Sequence, residues 1–178
     1  NPYGKSKLMI ENLLEDISLT NDINVVCFRY FNAAGAHESG KIGEFREPET
    51  HLLPNILKSV ESKEFNLKVY GNDYSTSDGT CYRDYLHVSD ITEAHLLGIE
   101  YLKQNKGFSA FNLGNSKGFS VLEIIKRCEY ITNVAIPFKI VGRRKGDPDK
   151  LVADNRLAIK ILEWNPKFSD INNIIESA

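Results

Sequence analysis

The stretch INVVCFRYFN at 23–32 restricts the fold of this chain more than any other feature. It is nearly continuous in apolar and β-branched residues, where a half-exposed strand would alternate. Such a run fits a central strand covered on both faces, and strands of that kind belong to parallel sheets flanked by helices. Its neighbours agree. Residues 4–18 place Leu8, Ile10, Leu13, Leu14 and Ile17 at helical spacing. Residues 51–62 and 89–105 also read as helices, the second opened by Asp90 and Glu93 as a capping box. Ser120 and Glu123 form the same signal ahead of SVLEIIKRCEYI, and 65–71, 107–118 and 135–142 carry strand patterns. Strands separated by helices predict an α/β fold with parallel pairing.

A doubly wound cofactor domain begins with a strand, a glycine-rich turn and a helix that cradles a pyrophosphate. No Gly-x-Gly-x-x-Gly occurs in these residues, so the pattern reads as the second half of a larger unit. Two polar loops, 33–50 and 71–85, are too long to be mere connections and are candidates for function.

Composition narrows the partners. A net charge of −2 with 26% charged residues gives no basic excess, which argues against nucleic acid as the main partner. No apolar run approaches the roughly 20 residues that span a bilayer. Three widely spaced cysteines, Cys27, Cys81 and Cys128, suit reduced thiols in a cytoplasmic protein. His37, His51, His87 and His95 show no ligand spacing with acidic partners, so no metal site is expected.

The chemistry-bearing residues fall in separate segments. Tyr3 and Lys7 lie one helical turn apart, and an ammonium so placed stabilises a phenolate, making a general acid/base for an alcohol. A solvated helix face gives the same spacing. Arg83, Arg143 and Arg144 occupy two loops and suit a diphosphate if they converge, or else pair locally with Asp84 and Asp147. Tyr70, ahead of a glycine turn, could stack on a flat base or fill core. Asn32, at a strand end, could reach a ligand or cap the Ala-Ala-Gly turn.

In order, the chain carries YGKSK, RYFNAAGAHESGKIGE, PETHLLPNI, VYGNDYSTSDGTCYRDYLHVSD, FNLGNSKGFSVLEII, RRKGDP and LEWNP. This series resembles the UDP-glucose 4-epimerase family of extended short-chain dehydrogenase/reductases, almost end to end. The resemblance implies the carboxyl-terminal half of a Rossmann-type NAD enzyme: an edge of the parallel sheet plus a smaller mixed α/β substrate lobe. It assigns 1–32 to the cofactor domain and 33–178 mainly to a UDP-sugar lobe, with strand 107–114 and its adjoining helix as candidates to return to the cofactor sheet.

The implied reaction interconverts UDP-glucose and UDP-galactose through a 4-keto sugar. Tyr3 would be the acid/base, and Lys7 its partner and a contact to the nicotinamide ribose. Tyr30 and Phe31 would border the cofactor. Asn32, His51, Leu52, Lys68, Val69, Tyr70, Arg83, Arg144 and Asp147 would hold the UDP-sugar. Tyr70 would lie on uracil, the arginines on the diphosphate and Asp147 on the ribose. His51 stands where many members have asparagine, and Leu151 falls at a position that tunes the size of sugar accepted.

The partners implied are the missing amino-terminal half, without which the chain is expected to be inactive, and a second copy through the helix at 4–18. A 4,6-dehydratase, a decarboxylase or a non-catalytic UDP-sugar-binding module are the rival readings.

Overall fold

The helix that opens the chain shows how local signals set the frame. The Asn1 side chain caps α1 (Pro2–Thr20) by accepting from the Gly4 amide at 2.9 Å, and Pro2 stands at a first-turn position where a missing N–H costs nothing. The computed structural model describes residues 1–178. After α1 come β1 (Val25–Tyr30), β2 (Asn32–Ala34), α2 (Leu52–Ser62), β3 (Leu67–Tyr70), β4 (Tyr82–His87) and α3 (Val88–Leu102). The chain continues with β5 (Phe108–Leu113), β6 (Gly118–Ser120), α4 (Val121–Thr132), β7 (Phe138–Val141), β8 (Lys150–Leu151), α5 (Arg156–Leu162) and α6 (Ile171–Ser177).

The apolar run at 23–32 is not one strand buried on both faces. It breaks at Phe31, and its halves join different sheets. β1 pairs in parallel with β5, while β2 pairs in parallel with β4, which also carries β6 antiparallel and β8 parallel. A third pair joins β3 and β7, again parallel. Val25 to Phe28 are half-buried and Arg29 and Tyr30 are exposed, because β1 has a partner along one edge only. Helices still flank it. Arg29 donates from Nε to Glu11 of α1 at 2.8 Å, and Val26 and Phe28 pack towards α3. A Cβ on Gly98 would meet the Phe28 ring at 2.8 Å, so glycine lets α3 approach the sheet closely.

The parallel pairs rest on two cores. One gathers Leu53 and Ile56 of α2, Val69 of β3, Ile124 and Ile125 of α4, and Ile174 and Ile175 of α6. The other gathers Phe111 and Leu113 of β5, Ala94 of α3, Ala158 and Leu162 of α5, and Trp164. β4 divides them, with Tyr85 in the first core and its neighbour Leu86 in the second, as strand alternation requires.

Two capping expectations differ in outcome. Ser120 and Glu123 form a full capping box on α4. Asp90 and Glu93 do not; α3 starts earlier, capped by His87. The Asp90 carboxylate instead accepts the amides of Lys167 and Phe168 at 2.8 and 3.0 Å, and its carbonyl accepts Trp164 Nε1–H at 3.0 Å. The buried Asp90 thereby ties LEWNP to α3. On α1, Leu8, Ile10 and Leu13 are exposed despite their helical spacing.

His87 is fixed in one neutral tautomer. Nδ1 accepts the Ser89 amide at 3.1 Å, which leaves Nε2–H to donate to Ser177 Oγ at 3.0 Å, while the ring stacks on Phe168. Burial lowers its pKa, with Asp90 opposing. The unfolded chain therefore takes up the proton first as pH falls. Stability from this residue is complete above about pH 6.5 and is lost as pH falls through the folded-state pKa. Urea midpoints of the chain should accordingly drop between pH 7 and pH 5, and His87→Asn, which keeps a capping oxygen, should flatten that slope. Equal slopes in the two proteins would contradict the assignment.

Candidate functional site

The site is built where β1 ends and α1 begins. Helix and strand run in opposite directions across the 21–24 turn, and the Arg29–Glu11 ion pair sets their register. Lys7 lies one turn before Glu11 and Tyr3 a further turn before that, so both rise past the carboxyl end of β1. Both side chains are exposed, with Lys7 Nζ 5.5 Å from the centre of the Tyr3 ring. Tyr30 is exposed and Phe31 half-buried at the same level, with the Phe31 amide donating to the carbonyl of Leu113 on β5. Asn32 follows, exposed and in register with Tyr85. The carboxyl edge of parallel strands is where α/β sheets place their ligands.

One arginine loop, 142–149, reaches this edge, while Arg83 lies on β4 and not in a loop. A Cβ on Gly146 would lie 3.4 Å from the Asn1 Cβ, so the 142–149 loop abuts the start of α1. Arg83 does not pair with its neighbour Asp84. It donates to the carbonyls of Tyr82 and Pro148 at 2.8 and 2.9 Å and faces Asp147 at 3.4 Å, with only 11% of its side chain exposed. Arg143 and Arg144 part company. Arg143 is spent within the protein: its Nε donates to Asp73 at 2.6 Å, it faces Asp149 at 3.7 Å, and it lies 4.1 Å from the centre of the Tyr74 ring. Arg144 is exposed and sits over Tyr70, its guanidinium carbon 4.0 Å from the ring centre.

Asp84, meanwhile, is fully buried. It accepts amides from Asn115, Ser116 and Ala153 at 2.9, 3.1 and 3.1 Å, while burial pushes its pKa up against those bonds. Gly114 makes room, since a Cβ there would come within 2.6 Å of the carboxylate.

The remaining candidates differ in exposure. Lys68 is exposed, whereas Val69 is 1% exposed and its side chain belongs to the core. Leu151 is exposed on β8 opposite Arg83. Leu52 is half-buried against the first core, and His51 precedes it as the residue flanking α2. Folding also gives His51 acidic partners that its sequence spacing does not reveal. Glu44 meets Nδ1 at 2.5 Å, and Glu49 accepts the His51 amide at 2.8 Å. These bonds fix the entry to α2. Asp73, Tyr74 and Asp149 also hold this region together, and the acidic and aromatic density of NDYSTSDGT and DPD is their signal in the sequence.

The model of the NAD dependent epimerase/dehydratase family matches residues 1–114. Among curated relatives, the UDP-glucose 4-epimerase of Streptococcus mutans is 47% identical over 178 residues, which is 100% of this chain and 54% of that protein. The UDP-glucose 4-epimerase of Bifidobacterium longum, solved in complex with NAD+ and UDP, superposes with a TM-score of 0.94 at 39% identity. It covers 99% of this chain and 53% of that one. The Brucella ovis enzyme in complex with NAD gives 0.93 at 43% identity over 100% of this chain and 55% of its own. The chain spans about half the length of the curated relatives it matches. With its parallel strands and the edge they share, this chain belongs to the NAD dependent epimerase/dehydratase family.

Proposed function

We propose that this chain is the carboxyl-terminal part of an NAD-dependent UDP-glucose 4-epimerase, which interconverts UDP-glucose and UDP-galactose. One observation carries the reading: the helix start bearing Tyr3 and Lys7 abuts the loop bearing Arg144 and Asp147, so an acid/base pair and a cationic, aromatic cleft share one edge. Relatives with 39–47% identity named for this activity, one of them holding NAD+ and UDP, support it.

The residues present fit the nicotinamide end of the cofactor. Tyr3, Lys7 and Tyr30 are open to a ligand, and Phe31 offers a half-buried aromatic wall, all at or past the ends of two parallel strands. NAD, when bound, supplies a reversible acceptor for the hydride on carbon 4 of the hexose. Tyr3 takes the proton of the 4-hydroxyl as the 4-keto sugar forms and returns it once the sugar has turned over. The Lys7 ammonium favours the phenolate and reaches the nicotinamide ribose.

Arg144 and Arg83 take the diphosphate as paired oxygens, Asp147 accepts from the uridine ribose, and Tyr70 lies against uracil once Arg144 leaves its ring for the diphosphate. Asn32, His51 and Leu52 close the diphosphate and sugar side, Lys68 and the backbone of Val69 border the uracil, and Leu151 limits the sugar's bulk. Residues 1–32 form part of the cofactor domain and 33–178 mainly the substrate lobe. The pyrophosphate turn lies in the amino-terminal half of the protein, and α1 offers its exposed Leu8, Met9 and Leu13 to a second copy. No helix is long and apolar enough to cross a membrane, and the reaction suits the cytoplasm.

In the complete protein, Tyr3→Phe should lower turnover of UDP-galactose by about a hundredfold or more while leaving UDP affinity within a few fold. Unchanged turnover would remove Tyr3 from the acid/base role, and UDP binding without any turnover in the unmodified protein would assign the chain to a binding module. The 178-residue chain alone, mixed with NAD and UDP-galactose, should yield no UDP-glucose, and steady turnover would show that the amino-terminal half is dispensable.

A further inference from the structure

One side chain packed under Arg143 holds a polar group with nothing to bind. Tyr74 is 4% exposed, and its hydroxyl is buried without a hydrogen-bond partner. The residue is not free to turn elsewhere. Its amide donates to the Gly79 carbonyl at 2.9 Å, and its carbonyl accepts the Thr76 amide at 2.8 Å. One edge of the ring lies against Gly71, where a Cβ would come within 2.6 Å, and Arg143 covers a face. Asp73 in turn holds Arg143. A buried phenol without a partner lowers stability, and phenylalanine would fill the same space without that penalty. The hydroxyl therefore asks for a partner that arrives from outside.

Its surroundings indicate what kind. Burial raises the phenol's pKa, as does the Asp147 carboxylate, while Arg143 and Arg83 act the other way, so at neutral pH the group is a protonated donor among charges of both signs. Arg83 and Asp147 are the residues assigned above to the diphosphate and the ribose. Arg143 spends its donors on Asp73, so it does not satisfy a phosphate itself. We propose that the Tyr74 hydroxyl is a further ligand-binding donor of this cleft, held in place for an oxygen of a nucleoside diphosphate. The inference rests on the UDP-sugar reading of the site and extends it to a residue outside that set.

The test uses the complete protein that carries this chain, loaded with NAD, and its Tyr74→Phe variant, with UDP as the probe. Calorimetric titration should show UDP binding about tenfold weaker in the variant, the loss of one hydrogen bond to a charged group. The thermal midpoint without UDP should be unchanged or higher, because no bond is lost in the free protein. Equal UDP affinity in the two proteins would overturn the inference. So would a lowered midpoint without UDP, because the hydroxyl would then already have a partner, such as an internal water. An unmodified protein that fails to bind UDP would instead overturn the function proposed above, which separates the two failures.

Discussion

The site depends first on the buried carboxylate of Asp84. It lies in the strand that separates the two cores, with Tyr85 packed into one and Leu86 into the other. Its oxygens collect amides from the turn after β5 and from Ala153 just past β8. Two segments distant in sequence are thereby clamped to β4, and Arg83, one residue earlier, is aimed at the loop that β8 follows. A charge buried so completely is costly unless it is fully hydrogen-bonded, and here the amides supply those bonds. The Arg-Asp-Tyr sequence is thus one arginine that holds the 142–149 loop, one structural clamp and one core residue in succession.

A second register, set by Arg29 and Glu11, governs the other side of the site. It holds α1 against β1 at a height that carries Lys7 and Tyr3 beyond the strand's end. There the helix start meets Gly146 and the loop of Arg144 and Asp147. Residues from the beginning and the later part of the chain thus come together where α1 starts.

The sequence made the α/β class legible, since helical and strand periods alternate clearly, and the Ser120–Glu123 capping box formed as its spacing predicts. It misled where tertiary contacts override local pattern. Asp90 has the spacing of a cap but serves a distant segment, because amides of Lys167 and Phe168 compete successfully for its oxygens. The run at 23–32 reads as one strand, yet the chain changes sheets at Phe31, a choice made by β4 and β5 far downstream. Within the site, sequence could name the arginines but not divide their work. Only the fold shows Arg143 held by Asp73 and Tyr74 while Arg144 stays open.

The most direct test of the central claim follows the sugar itself. The complete protein, given UDP-galactose and a trace of NAD, is monitored by proton NMR. The account predicts UDP-glucose accumulating to equilibrium, with NAD unconsumed and no external oxidant. A 4-keto-6-deoxy sugar, a decarboxylated product or unaltered UDP-galactose would contradict it.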